Sequence, residues 1–256
     1  IGKNADFKSA VLRLHCYIVK ETGYLGVDIA GFDLSKREYR IFGHSSDLKA
    51  TAAYSLLRLA QFTPAKNLLD PFSRSGAISI EAALFASGHS PNYYRKDAFA
   101  FLNLKPFSNL DFKKFFESID KKIKTKASVF NYSSSIAHLR SAEKNAKIAG
   151  INKLLAFSRV DMEFLELKFD KQKIDMIVSY PPLLSKTSSK DKIKKLYSEF
   201  FYQADYILAK KGKIVIASRD AEDFKVAAER NNFALSSCID FSMGEESRQA
   251  LIFERK

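Results

Sequence analysis

Two short stretches of the chain hold residue types that could do chemistry. The first is Asp70-Pro71-Phe72-Ser73-Arg74-Ser75-Gly76-Ala77. It follows Leu68-Leu69 and precedes Ile78, Ile80, Ala82, Ala83 and Phe85, so it reads as a strand-to-helix turn. In open α/β sheets such turns lie at the carboxyl ends of strands, where ligands bind. A carboxylate there suits a cationic or hydroxylated cofactor, and Gly76 lets the backbone approach a ligand. A single glycine between strand and helix is also common where nothing binds. The second stretch, Ser179-Tyr180-Pro181-Pro182-Leu183, follows the apolar run 174–178. Two prolines fix φ and cannot extend a strand ladder, so they make a rigid rim loop. Such a loop suits gripping a flat base and aiming its exocyclic amine; equally, it could simply end a strand.

The elements that must position these stretches are legible as alternation. A hairpin is expected over residues 10–30, with its turn at Thr22-Gly23. Asp47 is expected to cap a helix carrying Leu48, Ala52, Leu56, Leu59 and Ala60. From residue 67 strands and helices alternate. Strands are expected at 68–70, 129–132, 154–157, 174–178 and 214–217, the last preceded by Gly212. Helices are expected after Gly76, over 110–124, over 135–149 before Gly150, over 191–209 and over 220–231. Two strands, 233–241 and 248–254, close the chain without a helix between them. The expected fold class is therefore α/β, with residues 64–256 forming a seven-stranded sheet covered by helices on both faces and ending in an antiparallel hairpin.

Composition bounds the partners. The 256 residues carry 42 Lys plus Arg against 29 Asp plus Glu, a formal +13. An excess of that size favours contact with a polyanion such as RNA; a solvated Lys-rich surface is the alternative. Lys113, Lys114, Lys121, Lys122, Lys124 and Lys126 could line an RNA path or a wet helix face. No apolar run reaches the roughly 18 residues needed to cross a membrane. The start, Ile1-Gly2-Lys3-Asn4, has no signal-peptide pattern, and its lack of Met points to a start inside a longer protein. Cys16 and Cys238 lie far apart, and His15, His89 and His138 show no ligand spacing, so no metal site is expected. A reducing, cytoplasmic location follows.

Taken together and in this order, the stretches resemble the THUMP-associated class I methyltransferases that make N2-methylguanosine in RNA. Asp70 to Ala83 resembles D-P-F-C-G-S-G-T-I-x-I-E-A-A, and Asp175 to Leu183 stands where D-x-I-V-x-N-P-P-Y is found in that family. His44-Ser45-Ser46-Asp47-Leu48-Lys49 resembles its H-P-A-P-L-K segment. Gly26 to Arg40 resembles the tail of its THUMP region and linker, residues 95–101 resemble an insert before a basic helix, and Ala142 to Gly150 resembles the helix after the second strand. The resemblance implies a tail and linker over residues 1–43 and a methyltransferase domain over 44–256. It implies S-adenosylmethionine as cofactor, with Asp70, Phe72, Ser73, Gly76, Ser133 and Asp161 around it. It implies that Ser179, Tyr180, Pro181 and Pro182 hold the reacting amine and that Leu183 meets the base.

Several positions depart from that pattern. Arg74 stands where the family has Gly, Ser73 where it has Cys and Ala77 where it has Thr. Ser133 replaces an acidic ribose ligand, whereas Asp161 stands where the family keeps its adenine-binding acid. Tyr180 replaces the Asn or Asp that accepts from the target amine, and Leu183 replaces an aromatic; losing a stacking partner costs roughly 1–3 kcal/mol per base. Arg74 is expected to point away from the cofactor cleft if the domain is active. The implied reaction is methyl transfer to a guanine amine of tRNA or rRNA. The alternatives are a degenerate fold that binds RNA or supports a partner subunit, and an enzyme acting on adenine N6.

Overall fold

Alternation in the sequence becomes a layered sheet in one of two units. The computed structural model describes residues 10, 12–120, 128–184, 189–219 and 221–256. The chain runs through β1 (Arg13–Val19), β2 (Thr22–Asp28), α1 (Ala50–Leu59), β3 (Leu68–Asp70), α2 (Ala77–Ser87), α3 (Phe112–Asp120), β4 (Val129–Ser133) and α4 (Ile136–Ile148). It continues through β5 (Leu155–Arg159), β6 (Ile174–Ser179), α5 (Lys190–Ile207), β7 (Leu208–Ser218), α6 (Glu222–Glu229), β8 (Phe233–Met243) and β9 (Glu246–Arg255). Two compact units result: Ile1–Arg37 with Ser90–Ile123, and Glu38–His89 with Lys124–Lys256. The segment Ser90–Ile123 thus groups with the amino-terminal unit.

In the first unit, β1 and β2 pair antiparallel, with Val19 opposite Thr22. The turn is therefore Lys20-Glu21, not Thr22-Gly23, and Lys20 takes the positive φ of 52° itself. This register brings Tyr17 opposite Tyr24 and His15 within 3.6 Å of Asp28, contacts that a turn two residues later would lose. The amides of Ala100 and Phe101 donate to the carbonyls of Ala30 and Ile29, both at 3.0 Å, which is how the later segment joins. Phe101 then packs on Phe99 and on Phe112 of α3. Lys113 and Lys114 are exposed on α3; Lys121, Lys122, Lys124 and Lys126 lie outside the described residues.

The second unit is a seven-stranded sheet in the order β5-β4-β3-β6-β7-β9-β8. β3 to β7 are parallel, and β9 lies antiparallel between β7 and β8, as the unseparated closing strands imply. Successive side chains point to opposite faces. Leu68, Met176, Val178, Val215 and Ala217 meet one core with α1, α2 and α4. Leu69, Ile177, Ile214 and Ile216 meet the other with α5 and α6. β7 is longer than expected and includes Gly212, with a register shift against β6 between Ile174 and Met176.

Asp47 does not cap α1. The helix starts at Ala50, and the Asp47 carboxylate instead accepts from the amides of His44 (2.7 Å) and Ser75 (3.4 Å). Gly76 also has a packing reason. It caps α2 at φ +86°, and a Cβ there would lie 3.0 Å from Ala142 Cβ and 3.1 Å from Ile80 Cδ1. The close approach at Gly76 is thus helix against helix. Left-handed backbone costs a non-glycine residue roughly 1–2 kcal/mol, and overpacking typically adds at least about 1. Gly76→Ala should therefore lose about 2–3 kcal/mol in urea unfolding; a loss under about 0.5 kcal/mol would show that the turn relaxes freely.

Candidate active site

The carboxyl ends of β3, β4, β5 and β6 gather both sequence stretches. Asp70 ends β3, is 3% exposed, and its Oδ1 accepts from the Ser179 hydroxyl and, at 3.3 Å, from the Phe72 amide. Ser179, at the end of β6, has no exposed surface, and its hydroxyl ties β6 to β3. Burial pushes the Asp70 carboxyl up to about 7; the Ser179 hydrogen bond, the Phe72 amide and nearby Arg74 oppose that rise. An acid so perturbed in a crevice marks a functional-site candidate.

Ser73 turns inward. Its hydroxyl accepts from the Asn131 amide at 2.7 Å, and its own amide donates to the Tyr132 carbonyl, which pins the turn to β4. Asn145 of α4 donates to the carbonyls of Ser75 (2.9 Å) and Phe42 (3.0 Å), so a fully buried amide fixes the turn from the other side. Neither asparagine carries a signal of its role in sequence, since Asn131 works through the Ser73 and Ser79 hydroxyls and Asn145 through backbone groups, all brought in by the fold.

Arg74 does not point away from the site. Its guanidinium donates to the carbonyls of Tyr180 (2.9 Å) and Pro181 (3.4 Å) and lies 4.9 Å above the Tyr180 ring. Tyr180 is 6% exposed and belongs to the core beneath. Pro182 is held by its carbonyl, which accepts from the Tyr197 hydroxyl at 2.7 Å. The two prolines deny this loop amides for a ladder, and Arg74 and Tyr197 engage its carbonyls instead.

Three hollows adjoin this loop. The largest, about 450 Å³, is lined by Phe72, Ser134, Asp161, Met162, Phe164 and Pro182 among others. A crevice of about 20 Å³ is lined by Asp47, Asp70, Phe72, Arg74, Ser75 and Tyr180 among others. A third, of about 200 Å³, is bounded by Asp47, Arg74, Tyr180, Leu183, Met243 and Arg219 among others. The crevice shares Phe72 with the first and Asp47, Arg74 and Tyr180 with the third, so it links them. Asp161 and Phe72 thus line the large cleft, and Leu183 the third hollow. Ser133 is buried below the rim, its hydroxyl accepting from the Ser135 amide at 3.3 Å, and its neighbour Ser134 is the one on the cleft wall. The sequence also gave no sign of His138, which meets His44 edge-on at 5.2 Å; burial first, then His44 and Arg74, hold its imidazole below the ordinary value. Among the described residues no group of three His, Cys, Asp or Glu is placed to hold a metal.

A strand-end carboxylate, a proline-stiffened loop and a cleft between them, in this chain order, form a pattern shared beyond this protein. The sequence pattern described as "RMKL-like, methyltransferase domain" matches residues 37–245. The chain belongs to the RMKL-like methyltransferase domain family. It is 29% identical over 247 residues to the tRNA (guanine(6)-N2)-methyltransferase of Methanocaldococcus jannaschii, covering 94% of this chain and 62% of the relative. It is 29% identical over 203 residues to the ribosomal RNA large subunit methyltransferase K/L of Photobacterium profundum, covering 77% of this chain and 28% of that protein. This methyltransferase domain thus spans less than two thirds of the length of these relatives. The solved TrmN structure from Thermus thermophilus shares its fold, with a TM-score of 0.70, 22% identity, and 98% of this chain and 62% of TrmN covered.

Proposed function

We propose that this chain transfers a methyl group from S-adenosylmethionine to the exocyclic N2 amine of a guanine in tRNA or rRNA. One observation carries the reading within the family: a cofactor-sized cleft and a base-sized hollow meet at a crevice holding the buried acid Asp70. The cleft, at about 450 Å³, lies within the roughly 300–1,000 Å³ range of small-molecule sites, and the hollow, at about 200 Å³, lies below it. That suits a whole cofactor on one side and a single base on the other.

The residues fit such a cofactor. Asp161 and Ser134 line the cleft with acceptors for adenosine groups, and Phe72, Met162 and Phe164 give apolar walls to a flat ring. In the crevice the Ser75 hydroxyl is buried without a partner among the described residues, which leaves it for a polar group at the cofactor's amino-acid end. When bound, S-adenosylmethionine supplies an electrophilic methyl group. The chain's task is orientation and exclusion of water, because an aromatic amine needs alignment more than a strong base. The loop carbonyls of Tyr180 and Pro181, once free of Arg74, are the acceptors left to aim that amine. A target in a paired region would have to leave its stack to reach them. RNA as partner accords with the +13 charge, and a cytoplasmic location with that substrate. No helix among the described residues is long and apolar enough to cross a membrane.

A second reading is favoured by the Arg74 contacts: a fold of this family that binds RNA, or supports a partner subunit, without transferring methyl groups. Calorimetry with S-adenosylmethionine separates the two, together with transfer of labelled methyl groups to bulk RNA and nucleoside analysis of the product. Micromolar cofactor binding and N2-methylguanosine are expected. No heat of binding and no labelled nucleoside would establish the second reading, and N6-methyladenosine as product would move the reaction to adenine.

A further inference from the structure

The base-sized hollow has a wall that the proposed transfer leaves unused. Arg219 follows β7, Glu246 opens β9, and Arg248 lies two residues further on. Arg248 is 4% exposed; it pairs with one oxygen of the Glu246 carboxylate and donates to the Ser247 carbonyl at 2.9 Å. The other Glu246 oxygen accepts from Arg219 at 3.1 Å. A buried cation thus holds a carboxylate, and the carboxylate holds a guanidinium whose side chain is 57% exposed. Exposed ion pairs contribute about 0–1 kcal/mol, so stability is a weak reason for the arrangement. Presenting a planar fork of donors in a set direction is a better one.

Sheet order sets that direction. β3 and β6 carry the crevice, β7 follows β6, and β9 follows β7, at about 4.8 Å per strand. Arg74 and Tyr180 therefore bound the hollow near the crevice, while Arg219, Glu246 and Arg248 bound it one to two strands further along. A guanine lying along this line with its N2 amine toward the crevice turns its N7 and O6 toward β7 and β9. Both are acceptors, and an arginine fork meeting them is the commonest guanine-specific contact. Adenine offers N7 but places an N–H donor where guanine has O6, so it would set donor against donor.

We propose that Arg219, held in place by Glu246 and Arg248, reads the O6/N7 edge of the target base and selects guanine over adenine. The proposal rests on the methyltransferase reading only for the end at which the amine enters. Arg219 would touch the base; Glu246 and Arg248 are positioning residues. Tyr180, Leu183 and Met243 line the same hollow and suit the faces of a flat ring.

The test reads binding without cofactor or turnover. Methionine methyl groups are labelled with carbon-13, the Met243 signal is assigned with Met243→Leu, and GMP, AMP and 7-deaza-GMP are titrated in turn. GMP should bind at least fivefold more tightly than AMP, in line with the discrimination of one bidentate arginine pair, with 7-deaza-GMP between them. Arg219→Ala, at an exposed position, should bring all three within about twofold, and Glu246→Gln should shrink the preference for GMP part-way. Equal binding of GMP and AMP by the wild type, or a preference that survives Arg219→Ala, would overturn the proposal. A preference unchanged in Glu246→Gln would overturn the positioning role. A protein that binds no S-adenosylmethionine would sink the methyltransferase reading and leave these ratios to decide the base readout alone.

Discussion

Arg74→Gly should raise kcat/KM for methyl transfer to RNA by roughly tenfold to a hundredfold. In the structure the Arg74 guanidinium engages the carbonyls of both Tyr180 and Pro181. In the proposed function those carbonyls are the loop's acceptors for an incoming amine, since Tyr180 stands where the resemblance places Asn or Asp. A hydrogen bond to a charged group contributes about 1.5–3 kcal/mol; the 2.9 Å bond earns most of that range, and the 3.4 Å bond contributes less. The contact with the Tyr180 ring adds about 0.5–1 kcal/mol. Any state that admits substrate must first lose these contacts, so its population falls by the corresponding factor, and apparent affinity falls with it. Part of the loss returns as Arg74 finds water, which is why the expected gain is tens-fold and not thousands-fold. The same variant should bind S-adenosylmethionine more tightly in calorimetry, because the crevice of about 20 Å³ widens, and should melt at a lower temperature. Arg74→Met separates the causes: it keeps the bulk and removes the donors. A gain shared by Gly and Met would place the restraint in the hydrogen bonds, whereas a gain for Gly alone would place it in volume. A variant slower than wild type would overturn the restraint and make Arg74 part of the working site.

That restraint was not legible in the sequence, and the reason is physical. The turn itself was legible, because Asp, Pro and Gly punctuate a change from strand to helix periodicity. The direction of one long side chain with several rotatable bonds is decided by which carbonyls lie within reach, and the 179–183 loop comes from a strand more than a hundred residues away. The sheet order was legible in outline, including β9 between β7 and β8, since two strands without an intervening helix must pair antiparallel with their neighbours. The Lys20-Glu21 turn was not, because cross-strand packing outweighed the local preference of Thr22-Gly23. Asp47 has the chemistry of a helix cap, yet its carboxylate serves the Ser75 amide across the fold. Residues 95–101 read as an insert before a basic helix, and the contacts that group them with the amino-terminal unit, the backbone bonds to Ile29 and Ala30 and the packing on Phe32, appear only once the chain is folded. Arg219, Glu246 and Arg248 carry no motif at all; β7 and β9 bring them together only by pairing antiparallel.

Asp70→Asn should make the protein more stable above neutral pH while weakening its hold on S-adenosylmethionine. An unfolded chain ionises an aspartate near its ordinary value of 3.8, whereas burial moves the folded Asp70 to about 7. Between those values the folded state holds a proton that the unfolded state has released. Stability therefore falls as pH rises from about 4 to about 7 and is level above that, with a total loss of up to about 4 kcal/mol from this group. An asparagine never ionises, so the variant lacks this slope. Its amide oxygen still accepts from Ser179 and Phe72, but its NH2 group is newly buried and costs about 1–3 kcal/mol if no acceptor turns toward it. The net expectation is a gain of about 1–3 kcal/mol at pH 8 and none, or a small loss, at pH 5. Urea unfolding of both proteins at half-unit steps from pH 5 to 8 measures it, because every other titrating group is common to the pair and cancels in the difference. Parallel curves would show that Asp70 titrates normally and that its burial is compensated. Binding should move the other way. An ionised Asp70 in the crevice favours a cationic sulfonium ligand, so wild-type affinity for S-adenosylmethionine should rise as pH increases through about 7, and calorimetry in buffers of different ionisation heat should detect proton release. Asp70→Asn should bind at least tenfold more weakly at pH 8 and show neither the pH dependence nor the released proton. Such a pairing of higher stability with lost binding is what a buried charge kept for function produces, since the fold alone would do better without it.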